Sequence, residues 1–370
     1  LEFRRVLFRS RIRQQVGRAM SSVVISGDTS GSITLQAPAA SGSTTLTLPA
    51  TTGTVLAAGN ALVYPQGRLT LATATPVMTS AQTGKTTLFY TPYLGSTVPI
   101  YDGTNWSHAR FSELSNITTN SSTGSAGPAA VTTNSNYDLF VWSSSGTLTL
   151  TRGPAWTSDT ARGTGAGTTQ ISMVNGIWVN TVAITNGPGA NLGTYVGTVR
   201  SDGSSQLNWN PTPAASNGGT EAKLHVFNAF NRVTLSGTTM DSNTGWVYST
   251  ATWRALNNST GNRLSYIDGL GEVTVLLTMT AGVNQNSTGI YSFGVNRDST
   301  TAQPSQVGIT QYPGENGTLP LVVNFSPSLG YHYLQEMENS ISSGVTTGYG
   351  NTIFGGIYVQ MNALTVDVMI

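Results

Sequence analysis

Gln170-Ile-Ser-Met-Val-Asn-Gly-Ile-Trp-Val-Asn-Thr-Val182 is the stretch that decides the fold class. Its centre, Asn175-Gly176, is the strongest short signal for a β-hairpin, because both residues tolerate the positive φ of a type I′ turn. The runs on either side are short and rich in β-branched and aromatic residues, which favours strands. The stretch therefore predicts two antiparallel strands joined by a two-residue turn.

The same pattern recurs on both sides of this hairpin. Ser144-Ser-Gly146 separates two strand-like runs at 137–142 and 147–151, and Asp102-Gly103 follows another at 98–101. From residue 221 onward, strand-like runs recur about every ten residues with turns between them, which is typical of a β-sandwich. We therefore predict an all-β protein: short N-terminal β repeats and small β modules, then a C-terminal jelly-roll-like β-sandwich.

One segment carries a competing helical signal. Phe227 and Phe230 are spaced as on a helix face within 221–231. The Val, Phe and Asn content of this segment favours a strand instead, and we predict a strand there.

The composition excludes several classes of protein. Only 9% of the residues are charged, against roughly 25% in ordinary soluble domains. The chain has no cysteine, which excludes disulfides, cysteine-bound zinc and iron–sulfur clusters. Apolar runs all fall short of the roughly 18 residues that span a membrane, so we expect no membrane insertion. We also expect no cofactor and no metal.

The positive charge is concentrated at the start of the chain. Six of the 17 basic residues lie within the first 18 positions. Residues 1–10 resemble the conceptual translation of a common sequencing-library adapter, which predicts that 1–19 are a non-native leader and that Met20 is the true start. Without the leader, 11 basic and 15 acidic residues remain, a net charge of −4. So few cations predict no nucleic-acid partner.

A short repeat follows the leader. Residues 31–39 align with residues 42–50 at an offset of 11, with matches at six positions. Each copy alternates polar and apolar residues and ends near a proline, which predicts one strand per copy. Two such strands bury little surface alone, so residues 20–65 are interpreted as an attachment segment.

Changes in composition place the other boundaries. Residues 116–135 and 201–220 are rich in Ser, Thr, Asn and Gly and indicate linkers. We predict a small β module at 66–115, a β spacer domain with linkers at 116–220, and the C-terminal β-sandwich domain at 221–370.

Few residues suggest chemistry. Trp156 and Trp209 lie near Asn, Ser and Thr, and indole rings with neutral polar neighbours suit sugar stacking, so they are candidates for glycan or receptor contact. Glu336 and Glu338 would share a strand face, about 6.5 Å apart by rise, and glycosidases need two carboxylates roughly 5–9.5 Å apart. A solvent-facing strand or a calcium site at a trimer axis is the alternative.

Three stretches resemble virion proteins of tailed bacteriophages. They are Gly27-Asp-Thr-Ser-Gly-Ser-Ile-Thr-Leu35 with its continuation to residue 55, Val98-Pro-Ile-Tyr-Asp-Gly-Thr-Asn-Trp106, and the run from residues 137–142 to Gly330-Tyr-His-Tyr-Leu-Gln335. The resemblance implies a non-enzymatic virion component of the tail-fibre or adsorption type. It implies a homotrimer that contacts other virion proteins and a host-surface glycan or protein.

Three alternatives stay open at this stage. A head fibre or capsid decoration protein would have the same structural class. A depolymerising tailspike would be an enzyme and would use carboxylates such as Glu336 and Glu338. A cell-surface adhesin is the third alternative.

Overall fold

Mostly antiparallel strands joined by turns and loops make up the described part of the chain. The computed structural model describes residues 22–26, 32–36, 63–119, 126–285, 290–310, 316–341, 346–354, 357–360 and 362–370. Within them the protein is all-β, as predicted, with one 3₁₀ turn at Leu256–Asn258. None of these residues belongs to a helix with the length and apolarity needed to cross a bilayer.

The strands are numbered in chain order. The first group is β1 (Ser22–Ser26), β2 (Ser32–Gln36), β3 (Gly67–Thr70), β4 (Gln82–Lys85), β5 (Thr87–Pro92), β6 (Thr97–Tyr101), β7 (Trp106–Arg110), β8 (Leu114–Ile117), β9 (Asn136–Ser144), β10 (Thr147–Ala155), β11 (Ile171–Val174), β12 (Ile177–Asn180), β13 (Thr194–Arg200) and β14 (Leu207–Asn210). The second group is β15 (Ala222–Leu224), β16 (Val226–Asn228), β17 (Thr234–Met240), β18 (Trp246–Tyr248), β19 (Arg254–Ala255), β20 (Arg263–Asp268), β21 (Val275–Gln285), β22 (Ile290–Arg297), β23 (Val307–Thr310), β24 (Asn316–Phe325), β25 (Gly330–Ile341), β26 (Thr346–Tyr349), β27 (Asn351–Phe354), β28 (Ile357–Gln360) and β29 (Ala363–Met369).

The predicted hairpins form, with turns that follow local sequence. Asn175 and Gly176 have φ of 51° and 88° and join β11 to β12, which is the conformation that a type I′ turn needs. Ser145 and Gly146, at φ 50° and 86°, join β9 to β10 in the same way. The Asp102 turn differs: Tyr101 pairs with Trp106, so four residues close it.

An aspartate explains that longer turn. The Asp102 carboxylate accepts the backbone N–H groups of Thr104 at 2.8 Å and Asn105 at 2.7 Å. Such local bonds replace the missing strand pairing. They also lower the pKa of Asp102 below its usual range.

The segment with competing signals is extended, as predicted. β15 and β16 occupy it, and β17 begins at Thr234. β15 pairs with β20 in parallel, and β16 pairs with β13 in antiparallel fashion. The strand predicted within 221–231 is therefore divided into two short strands, because the backbone passes from one sheet to another between Leu224 and Val226.

Three larger sheets contain most of the strands that the structure describes from residue 63 onward. The first runs β10-β9-β13-β12-β11 with β16 beside β13. The second runs β23-β22-β25-β20-β15-β14-β4 with β19 beside β25. The third runs β17-β29-β21-β26-β18 with β24 beside β21. Smaller sheets are β3-β5-β8, β6-β7 and β27-β28.

The second and third sheets pack into a sandwich. Strand alternation points Val275, Leu277 and Val366 inward, and they share one core with Leu224 and Leu264 of the second sheet. The approach is close: a Cβ on Gly237 would lie 2.3 Å from the Leu264 side chain. The sandwich agrees with the sequence analysis, and its jelly-roll connectivity stays a prediction.

The chain forms two units, Leu1–Val55 and Leu56–Ile370. In the first, β1 and β2 pair antiparallel, so the first copy of the repeat contains a strand as predicted. The second copy, at 42–50, and the leader at 1–19 lie outside the described residues.

Strand pairs in the second unit join segments far apart in sequence. β4 pairs with β14, and β14 pairs with β15. The segments 66–115, 116–220 and 221–370 thus contribute to one sheet. Their boundaries as separate domains stay predictions.

Candidate functional site

Trp209 lies inside the protein. Its side chain on β14 is 1% exposed, and the indole Nε1 donates a hydrogen bond to the Met78 carbonyl oxygen at 3.0 Å. Leu207, two residues earlier on the same strand, is also buried, because residues i and i+2 point to the same face. The ring therefore packs in the core and offers no face to a sugar in the chain as described.

Trp156 is also buried, and a cation covers its ring. The Arg162 guanidinium lies 4.3 Å from the ring centroid, a cation–π contact. The same guanidinium forms an ion pair with Asp138, from Nε to Oδ2 at 2.6 Å. Trp156 shields this pair from water, which gives it a structural role.

Glu338 holds a network of donors in the interior. Trp246 Nε1 and the Tyr291 hydroxyl donate to Oε2 at 2.8 and 2.9 Å. Arg254 Nε and the backbone N–H of Asn257 donate to Oε1 at 2.7 and 3.1 Å. Burial raises the pKa of Glu338, and the hydrogen bonds and the guanidinium oppose that rise without cancelling it. The carboxyl links β25 to the β18–β19 segment.

Glu336 lies on the same strand and is 1% exposed. Burial raises its pKa well above the usual range; hydrogen bonding to Asn362 opposes this, and the Asp241 carboxylate adds to it. The enclosed setting therefore favours the uncharged form of this carboxyl.

The two glutamates do share a strand, but not the predicted setting. Both are enclosed, so neither the solvent-facing strand nor a surface site at a trimer axis describes them in this chain. A glycosidase needs its carboxylates on either side of a bound sugar, and these two lie beneath the surface. No group of three or more His, Cys, Asp or Glu suited to a metal ion occurs within the described ranges.

Sequence reasoning missed the ion pair beneath Trp156. Asp138 and Arg162 are 24 residues apart in sequence and form an ion pair in the fold. Arg162 Nη2 also donates a hydrogen bond to the Gly269 carbonyl oxygen at 2.6 Å. The single available signal was the hydrophobic run around Asp138, where an unpaired charge would be costly. The partner could not be read from sequence because the pairing is tertiary.

The most regular surface feature of the fold is the outward face of the third sheet. β17, β29, β21 and β24 lie side by side with every second residue pointing outward. We name this outward surface the ladder face; its three cross-strand rows are Thr238–Thr365–Thr278–Val322, Ser236–Asp367–Leu276–Asn324 and Met240–Ala363–Thr280–Pro320.

The ladder face has almost no charge. Asp367 is the charged residue among these described positions, and it accepts a hydrogen bond from the Ser236 hydroxyl. Leu276 and Val322 are 49% and 60% exposed. Exposed sheets usually carry charged side chains that prevent association, so a neutral, β-branched face is typical of a surface that packs against a partner.

No protein-family model matches the chain. No curated protein matches it at a significant level either. The ladder face and the buried carboxyls are therefore interpreted from their own geometry.

Proposed function

We propose that this chain is a non-enzymatic structural component of a bacteriophage virion, a tail fibre or receptor-binding protein that assembles as a homotrimer through the ladder face. The neutral ladder face carries the proposal. The N-terminal resemblance to phage leaders supports it.

A second copy of the chain is the occupant that suits this face. Two identical faces repel each other when they carry net charge, and this face has one carboxylate that a serine already hydrogen-bonds. Its exposed Thr, Val and Leu side chains fit a pleated partner surface. Burying such a face also accounts for a chain with only 9% charged residues.

The interior position of Glu336 and Glu338 favours the non-enzymatic function over a depolymerase. Glu338 is held by four donors that belong to the fold. A catalytic carboxylate must reach its substrate. Residues 20–65 would attach the chain to other virion proteins, on the tail or, for a head fibre, on the capsid.

The test is the solution mass of the full chain by light scattering, with two lysine variants. Val322→Lys places a cation in the ladder face at a position 60% exposed. Ile309→Lys is the matched control, since Ile309 is a β-branched strand residue that is 56% exposed on β23, outside that face. We expect a trimer for the parent chain and for Ile309→Lys, and dissociation for Val322→Lys.

Two results would contradict the proposal in different ways. A parent chain that stays monomeric at all concentrations contradicts the proposal that the protein is a homotrimeric fibre. A trimer that survives Val322→Lys places the interface elsewhere. Mass spectrometry of purified virions tests the virion assignment separately.

A further inference from the structure

A groove with a mixed polar and apolar lining lies between the turn after β3 and the β4–β5 segment. Its volume is about 470 Å³, which is within the usual range of ligand sites. The side chains that matter to its chemistry are Lys85, Phe89, Gln82, Thr73 and Thr87.

One wall of the groove is held by the second sheet. β4 pairs with β14, with Lys85 opposite Leu207 and Gln82 opposite Trp209. The backbone N–H of Gly84 donates to Asn208 Oδ1 at 3.0 Å. The strand that carries Lys85 is thus anchored to a buried tryptophan.

The opposite wall is held by one carboxylate. Glu113 accepts hydrogen bonds from the Thr73 hydroxyl, the Ala74 N–H at 2.6 Å and the Thr91 hydroxyl at 2.6 Å. Burial acts to raise the pKa of Glu113, and these hydrogen bonds outweigh it, so the pKa lies below its usual value. Both walls are therefore positioned before any ligand arrives, which lowers the entropic cost of binding.

The groove combines three kinds of group. Lys85 is one of two lysines in the chain; the other, Lys223, pairs with Glu221, whereas no ion pair among the described residues involves Lys85. Phe89 is half-buried and contributes an aromatic surface. Gln82 and the threonines contribute neutral donors and acceptors.

We propose that this groove binds an anionic saccharide, with Lys85 contacting the acidic group, Phe89 contacting the apolar face of a sugar ring, and Gln82, Thr73 and Thr87 bonding to hydroxyls. A sugar ring has one apolar face and many hydroxyls, and this set of side chains matches both. The inference rests on the receptor-contact role proposed above and gives it a ligand class.

The test uses a matched pair of probes with the full chain. Hexagalacturonate carries one carboxylate per sugar, and its methyl ester has the same sugars without charge. Isothermal titration calorimetry should show binding of the acid, and at least about tenfold weaker binding of the ester, because hydrogen bonds to charged groups contribute more than neutral ones. Affinity for the acid should fall as salt is raised.

Three variants assign the binding to the groove. Lys85→Gln should weaken hexagalacturonate binding about tenfold, and Phe89→Leu should weaken it while keeping the apolar packing. Arg110→Gln is the control, since Arg110 is an exposed cation outside the groove. Circular dichroism and the thermal midpoint of each variant verify that the fold is kept.

Equal affinity of acid and ester, equal affinity of Lys85→Gln and the parent chain, or no binding of hexagalacturonate at millimolar concentration would each overturn the inference. None of these results bears on the light-scattering test of assembly. A chain that forms a trimer but does not bind hexagalacturonate supports the structural function and overturns the saccharide inference. A monomer that binds hexagalacturonate supports the saccharide inference and contradicts the proposed assembly.

Discussion

Asp138→Asn should destabilise the protein far more than Asp159→Asn, although each aspartate forms an ion pair with an arginine at 2.6 Å. The difference is burial. The Asp138 and Arg162 side chains are 3% and 5% exposed, whereas Asp159 is 52% exposed. The comparison therefore holds distance constant and varies access to water.

The magnitude follows from what each change leaves behind. Asp138 also accepts the Thr198 hydroxyl at 2.7 Å, and without its charge the Arg162 guanidinium keeps the Gly269 carbonyl and its aromatic contacts but has no charged partner among the described residues. Breaking a buried pair by removing one partner costs about 3–5 kcal/mol. In the other pair Arg200 is 7% exposed but Asp159 is 52% exposed, and a pair that water and salt reach contributes about 0–1 kcal/mol. We expect a difference of about 3 kcal/mol in the free energy of unfolding.

The assay is urea unfolding of the full chain, followed by circular dichroism and by tryptophan fluorescence. Trp156 packs on Arg162 and is one of the seven tryptophans that contribute to this emission. The double variant Asp138→Asn with Arg162→Met should recover part of the loss, because it removes the uncompensated charge. Equal costs for Asp138→Asn and Asp159→Asn would refute the reasoning, and so would a double variant less stable than the sum of its single changes.

Three further predictions follow from buried or strained positions. Because the pKa of Glu336 is raised in the folded protein, the stability that its protonated carboxyl contributes is complete below pH ~4.3 and is lost as pH rises toward the folded pKa. Glu336→Gln should abolish this loss and be more stable than the parent at pH 7. Equal urea midpoints for the two proteins at pH 7 would contradict this prediction. Trp209→Ala should lower the free energy of unfolding by about 3–5 kcal/mol, and Trp209→Phe by about 1 kcal/mol for the lost hydrogen bond to Met78, both measured by urea unfolding. Unchanged stability together with loss of glycan binding would restore the interpretation of Trp209 as a surface residue. Gly176→Ala should cost about 1 kcal/mol because Gly176 has φ 88°, whereas Gly165→Ala, at a glycine with open space around its Cα, should leave the thermal midpoint unchanged; equal midpoints for the two variants would contradict the turn assignment.

The hairpins show what could be predicted from sequence. Asn175-Gly176 and Ser145-Gly146 need φ values that few residues tolerate, and that requirement acts over two residues wherever the chain lies. The formation of strands rather than a helix around Phe227 was predictable for a similar reason, since β-branched and aromatic residues favour pleated surfaces.

The candidate site residues show where prediction from sequence ended. Trp209 and Glu336 lie on strands that alternate in the expected way, but alternation does not say which face meets the core. That depends on which sheet packs on which, and β4, β14 and β15 come from distant parts of the sequence. The tryptophans expected at the surface therefore lie in the interior, and so do the carboxylates.

By itself the sequence determined that this protein is all-β, poor in charge, without cysteine, and turned by Asn-Gly and Ser-Gly pairs, because composition and turn chemistry act over a few residues. Only the tertiary structure decided that Asp138 meets Arg162, that Glu338 is enclosed by donors, and that four strands present a ladder face with almost no charge. These features depend on long-range strand pairing. Its register is set by the packing of whole sheets, which a local pattern does not encode.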